Sequence, residues 1–186
     1  GTRSELIKSL DYAVDVFERL LSAAMCGGIS REAIERMATR EGADPRALAS
    51  RHAAQRHREW LSSNERRLQL RAHWKEFFED WDVVLMPVLP TTAIPHDHSL
   101  PIAERTIRVN EEERPYGDLL KWVGLTGVAY LPATVVPIGR TSEGLPVGVQ
   151  IVGPYLEDRT CLDFARRVEA LVGGLGDSYK IMECGM

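Results

Sequence analysis

Two imidazoles flank a carboxylate at His96-Asp97-His98. These are metal-ligating residue types at close spacing. A metal centre needs further ligands, and no third candidate is evident, so the triplet reads equally as a polar loop. Cys26, Cys161 and Cys184 could each supply a thiolate nucleophile if a histidine stood beside it. The other histidines, His52, His57 and His73, fall in a long helical stretch and are expected at the surface or an interface. The cysteines are widely separated, odd in number and contain no CxxC pair. That pattern argues against a disulfide framework or zinc site and favours a reducing cytoplasm. Free cysteine otherwise packs as a small apolar residue. Ser62-Ser63 is a serine pair without flanking glycines, and it reads as exposed helix or a helix break. The sequence has no G-x-S-x-G elbow and no Gly-rich phosphate loop. No metal or cofactor is expected.

The elements that must position any such residues belong to a chain of 186 residues, long enough for one domain with a sizeable core. Its net charge is -4. The many arginines are interleaved with acids, as on solvated helix faces, so no nucleic-acid partner is expected. No apolar run approaches the roughly 18–20 residues that span a bilayer, so no membrane role is expected.

Leu6, Leu10, Ala13, Phe17, Leu20 and Ala24 recur at spacings of three and four, which predicts an amphipathic helix ending at Gly27-Gly28. Ser30 should cap a short second helix to about Arg40. Asp44-Pro45 is a helix start, a capping carboxylate before proline. The helical pattern then runs to Asp80. Unbroken, that stretch would reach roughly 54 Å, so a break is expected near Ser62-Ser63-Asn64.

The texture changes at Asp82. Val83 to Met86 reads as a strand buried on both faces. Residues 87–101 are too rich in proline for regular structure and should form a long loop. Thr106 to Val109 fits an edge strand, and Asp118 to Val123 one or two helical turns. Ala133–Val136 and Val147–Val152 should form a hairpin about Glu143-Gly144. A last helix should run from Arg159 to Val172, stopped by Gly173-Gly174. The implied class is α/β, with helices covering a sheet. Two or three strands make a poor independent sheet, so further strands should complete it.

Three blocks carry a family resemblance. They are Trp81-Asp82-Val83-Val84-Leu85-Met86-Pro87-Val88-Leu89-Pro90; Leu125-Thr126-Gly127 with Leu131-Pro132-Ala133-Thr134-Val135-Val136-Pro137-Ile138-Gly139; and Gly144-Leu145-Pro146-Val147-Gly148-Val149-Gln150-Ile151-Val152-Gly153 followed by Asp158. In order and spacing they resemble the C-terminal region of the amidase-signature family. Gly148, a glycine inside a strand, reads by itself as tight packing against a neighbour.

The resemblance implies a layered α/β/α fold around a mixed sheet. Residues 1–80 would be its preceding helical region, 81–172 the C-terminal α/β part of the core, and 173–186 a tail. It implies hydrolysis of a small-molecule carboxamide to acid and ammonia. A serine attacks, and a second serine relays its proton to a lysine. That centre belongs to the family's N-terminal half. Lys8, Lys75, Lys121 and Lys180 lack the setting for it, so no catalytic residue is assigned and the chain alone is expected to be inactive. Its expected partners are the missing N-terminal half and, in a homo-oligomer, further copies of the chain. Gly1 in place of Met agrees with a fragment. Thr91, Trp122 and Leu125 are the candidate substrate-pocket residues, on the loop after Pro87 and the segment from Tyr116 to Tyr130. Trp122 reads equally as a core residue.

The same family includes the amidotransferase component that feeds ammonia to misacylated tRNA. Those relatives commonly carry Asn where Gly124 stands, and Val128-Ala129-Tyr130 adds residues before Leu131-Pro132-Ala133. Both departures favour a stand-alone amidase. A different class of reading is a non-catalytic helical interaction module, with Arg3 to Asp80 making the contacts.

Overall fold

The structure is a computed structural model that describes residues 3–99 and 102–174, with the backbone alone for residues 3–9 and 103. Four helices come first: α1 (Arg3–Met25), α2 (Arg31–Ala38), α3 (Pro45–Ala53) and α4 (His57–Asp80). The short ones begin where their capping side chains dictate. Ser30 Oγ accepts from the Ala33 amide at 3.3 Å and Asp44 Oδ1 from the Ala47 amide at 3.0 Å, with Pro45 at the first helical position.

The break in the long helical stretch falls at residues 54–56, not at Ser62-Ser63-Asn64. Gln55 explains it: its side-chain amide donates to the carbonyls of Arg19 (2.7 Å) and His52 (2.9 Å), which ties the turn to α1. The Arg56 amide then donates to Glu59 Oε2 at 2.7 Å, half of a capping box that restarts the helix. Ser62 and Ser63 lie inside α4, and Ser63 is buried.

α1 packs against α3, α4 and a later helix, α5 (Lys121–Gly127). Ala13 and Val16 of α1, Leu70 of α4, Leu125 of α5 and the adjoining Val128 and Ala129 form one apolar cluster. Phe17, Leu20, Trp74 and Trp122 pack on its margin. Leu10, Ala13, Phe17 and Leu20 thus lie on the inward stripe that their spacing requires.

The second cluster sits under a three-stranded antiparallel sheet, ordered β1 (Val84–Pro87), β5 (Pro146–Val152), β4 (Ala133–Arg140). β4 and β5 are the expected hairpin, longer than foreseen, and Gly144 takes a left-handed φ of 85° in its turn. α6 (Asp158–Val172) lies over β4 and β5, with Phe164, Ala165 and Val168 against Val136, Val149 and Ile151. It ends at Gly173 and Gly174, both left-handed. The predicted tail lies outside the described residues beyond Gly174.

β1 departs from expectation. It was expected to be buried on both faces, yet Leu85 is 51% exposed and only Met86 is buried. β1 is an edge of the described sheet, and α6 packs chiefly on β4 and β5. A small second hairpin, β2 (Thr106–Val109) with β3 (Glu112–Pro115), turns at Asn110 and Glu111, both left-handed. β3 was not foreseen, because Glu112-Glu113-Arg114 has no apolar alternation to mark a strand.

Candidate functional site

A 3-10 turn, Tyr116–Leu120, runs directly into α5. Asp118, Lys121, Trp122 and Leu125 therefore stand at helical spacings of three and four and share one face. With Leu10, Asp11 and Val14 of α1, Arg114 of β3 and Pro90 of the loop after β1, they line a recess of about 220 Å³.

The recess has an apolar wall and a charged one. Asp118 is buried, and its carboxylate is held from both sides, by Arg114 Nε at 2.7 Å and Lys121 Nζ at 2.9 Å. A buried carboxylate with two such partners is compensated where it stands. Lys121 is therefore engaged by a carboxylate, not poised beside a hydroxyl. Gly124 lets α5 approach α1: a Cβ there would lie 2.8 Å from Phe17 Cδ1.

A second, larger groove of about 760 Å³ runs along the sheet end, between Leu85–Ala93 on one side and Val135, Pro137, Ile138 and Pro146–Val149 on the other. Trp122 and Leu125 thus meet in one recess and Thr91 lines the other; Pro90 borders both. Trp122 also packs on the α1 cluster, so it serves the core as well as lining the recess. Gln150, in the middle of β5, is buried, and its side-chain Nε2 has no hydrogen-bond partner among the described residues. Gly148 packs tightly, with a Cβ position 3.0 Å from Val135 Cγ1.

The other chemistry-bearing residues are placed as follows. His96 and His98 are exposed with rings edge to face at 6.0 Å, while Asp97 Oδ1 accepts from the Ser99 amide (2.8 Å) and hydroxyl (2.5 Å). The carboxylate thus serves its own turn. No cluster of three or more His, Cys, Asp or Glu suits a metal among the described residues. Cys161 is fully buried on α6, with its Sγ 3.5 Å from the Pro132 carbonyl, and burial pushes its thiol pKa up. His57 and His73 are exposed, as expected. His52 is not: it is buried, and that burial, with Arg19 nearby, pushes its pKa down. Its place on the inner side of α3 against α1 is set by the Gln55 turn, which the helical periodicity did not reveal. Among the described residues no helix is long and apolar enough to cross a membrane.

The family model described as Amidase matches residues 14–162, which take in nearly all of both recesses and the whole sheet. The chain belongs to the amidase family. This amidase-family chain is 32% identical over 115 residues to a glutamyl-tRNA(Gln) amidotransferase component of Wolinella succinogenes, a match covering 61% of this chain and 23% of that protein. It is 33% identical over 115 residues to a fatty acid amide hydrolase of Arabidopsis thaliana, covering 61% and 18% respectively. A solved structure described as a crystal structure of an amidase superposes with a TM-score of 0.64 at 20% identity, over 88% of this chain and 36% of that one. That likeness shows a shared fold. The matched stretch is less than a quarter of the length of these two curated relatives.

Proposed function

We propose that the chain forms a pocket wall and part of the central sheet of a carboxamide hydrolase. The full protein would release a carboxylic acid and ammonia through a serine nucleophile outside these residues, and the chain alone would be inactive. The observation that carries this reading is the one-sided face of Asp118, Lys121, Trp122 and Leu125, closed by α1 and Pro90, inside the stretch matched by the family model. Trp122 offers a broad apolar surface to an aryl or alkyl amide, and the fixed Asp118 ion pairs give the opposite wall a defined polarity. Thr91 lies with the apolar groove next door, which extends the surface available to a substrate. The rest of the protein is the proposed partner. Gln150 supports that, because a buried amide without a partner costs about 1–3 kcal/mol, and a neighbouring segment would supply one. The expected compartment is the cytoplasm.

The two curated relatives named above differ in reaction, one belonging to an amidotransferase, the other being an amide hydrolase. Gly124 favours the second: an Asn side chain there would start 2.8 Å from the Phe17 ring.

Ammonia release from a panel of aliphatic and aryl carboxamides tests the proposal. The chain alone is compared with a form extended upstream. Only the extended form should work, and in it Trp122→Ala should raise KM about tenfold or more with little change in kcat. Turnover by the chain alone would overturn the placement of the nucleophile. Inactivity of both forms on every amide would overturn the amidase reading.

A further inference from the structure

We propose that Arg67 and Arg71 of α4, with Tyr130 and Tyr155, form a clamp for an oxyanion, a phosphate or carboxylate group. This cluster shares no lining residue with either recess. Arg67 and Arg71 are one helical turn apart, so two like charges face the same side of α4. Neither has a carboxylate within ion-pairing distance among the described residues. The neighbouring arginine is treated differently: Arg66 is bound to Asp15 at 2.9 Å.

The pair is held instead by rings. The Arg67 guanidinium carbon lies 4.7 Å from the Tyr130 ring centroid. The Arg71 carbon lies 5.5 Å from Tyr130 and 4.2 Å from Tyr155. A guanidinium held over a ring by cation–π attraction makes no hydrogen bond to it, so its N–H groups stay available, and their fork matches carboxylate or phosphate oxygens two at a time. Arg67 gives one terminal nitrogen to Asn64 Oδ1, while its Nε is buried and has no partner among the described residues. Arg71 makes no hydrogen bond within the described residues. The rings therefore hold two forks close together, with donors of both unfilled among the described residues.

The loops that deliver the rings are also unusual. Tyr130 has a left-handed φ of 59°, and Leu156, next to Tyr155, one of 68°. Such backbone is costly for residues with side chains and recurs at ligand clamps. Tyr130 closes the Val128-Ala129-Tyr130 stretch that departs from the family's block. Both rings are about half exposed and both arginines are half-buried, so an anion would approach from solvent through their terminal nitrogens, Arg67 Nε being buried.

The test is a titration of the protein with inorganic phosphate and, separately, with acetate. Sodium chloride holds the ionic strength constant, and the arginine Nε–H signals are followed by NMR. Saturable one-site binding that moves the Arg67 and Arg71 signals is expected. Phosphate the tighter would mark a phosphate-bearing ligand, and acetate the tighter a carboxylate; either supports the clamp. Arg71→Lys keeps the charge but loses the fork and the stack, and should weaken binding about tenfold. Arg166→Ala, on the exposed side of α6, should leave it unchanged. Arg67→Ala should likewise weaken binding; circular dichroism checks that each variant is folded, and Arg71→Lys serves if Arg67→Ala does not fold. No saturable binding of either anion, or equal binding by Arg71→Lys, would overturn the proposal.

Discussion

Replacing Gly124 with alanine tests how α5 is seated on α1. The added Cβ would stand 2.8 Å from Phe17 Cδ1 and 3.0 Å from its Cγ. Carbon atoms in favourable contact sit roughly 3.5–4.0 Å apart, so the methyl and the ring cannot both stay where they are. Phe17 packs on the margin of the cluster of Ala13, Val16, Leu70, Leu125, Val128 and Ala129, and so it yields only by giving up contacts there. Overpacking of this kind costs about 1–3 kcal/mol. Against it stands the helical preference of alanine over glycine, up to about 1 kcal/mol. The net loss should therefore be about 1 kcal/mol, roughly 2–4 °C in Tm for a chain of this size.

A single value that small proves little, so the decisive measurement is a double-mutant cycle read by urea unfolding. In a Phe17→Ala background the methyl enters space the ring has left. There Gly124→Ala should be neutral or stabilising, giving a coupling of about 1–3 kcal/mol between the two sites. Additivity within about 0.5 kcal/mol would refute the claim that Phe17 is what requires glycine. It would also remove the steric reason for doubting an Asn at this position. The indole N–H signal of Trp122, assigned by NMR among the four tryptophans, would report whether the recess wall moves with α5.

His52 is held neutral by burial, below its ordinary pKa of 6.5; its contribution is complete above that pH and is lost as pH falls beneath it, because the unfolded chain then takes up a proton the fold resists. Urea midpoints measured from about pH 7 to 5 should fall in the parent and flatten in His52→Gln. Asp15 is pulled up by burial, but Arg19 and Arg66 outweigh that and hold its carboxyl below the ordinary 3.8. Its stability is present above that pH and lost as acid reaches the folded value, so Asp15→Asn should weaken the protein near neutrality and blunt the last acid step. Cys161, buried against the Pro132 carbonyl, should resist alkylation in the native protein while the part-exposed Cys26 is labelled; peptide mapping showing Cys161 modified first would contradict its burial. Leu85, Val135 and Ile138 are exposed on the sheet, so the isolated chain should associate, and light scattering that finds a monodisperse monomer at high concentration would count against this.

The parts legible in the sequence were those fixed by local chemistry. Ser30, Asp44-Pro45, Gly144 and Gly173-Gly174 each determine a cap or turn through their own backbone or side chain. The α1 and α6 stripes follow from periodicity. Tertiary contacts governed the failures. Gln55 broke the helix well before Ser63 because it reaches the Arg19 carbonyl, and no local pattern encodes that partner. The same tie carries His52 inward. β1 lost its expected burial because it lies at an edge of the described sheet while α6 packs chiefly on β4 and β5, and β3 hides in a charged run whose pairing depends on the Asn110-Glu111 turn. At the candidate site, Trp122 and Leu125 share a recess because they are one helical face, whereas Thr91 joins the neighbouring groove; Asp118 and Arg114 went unnoticed, although an acid at i and a lysine at i+3 in a helical turn was a readable signal.

The two kinds of polar group in the molecule divide its surface into finished and unfinished parts. Asp118, Asp15 and Asp97 all have their partners, and each fixes a local shape. Gln150 has an open donor in the centre of the sheet, and Leu85 and Val135 leave apolar surface on strands that end the sheet on either side. An orphaned amide and open strand edges destabilise a domain by itself and cost nothing once another segment covers them. The recess at Trp122 is closed on the α1 side by a complete apolar cluster, while the groove at Thr91 opens along the uncovered sheet. The uncovered side of the sheet and the Trp122 recess thus meet at Pro90, which borders both.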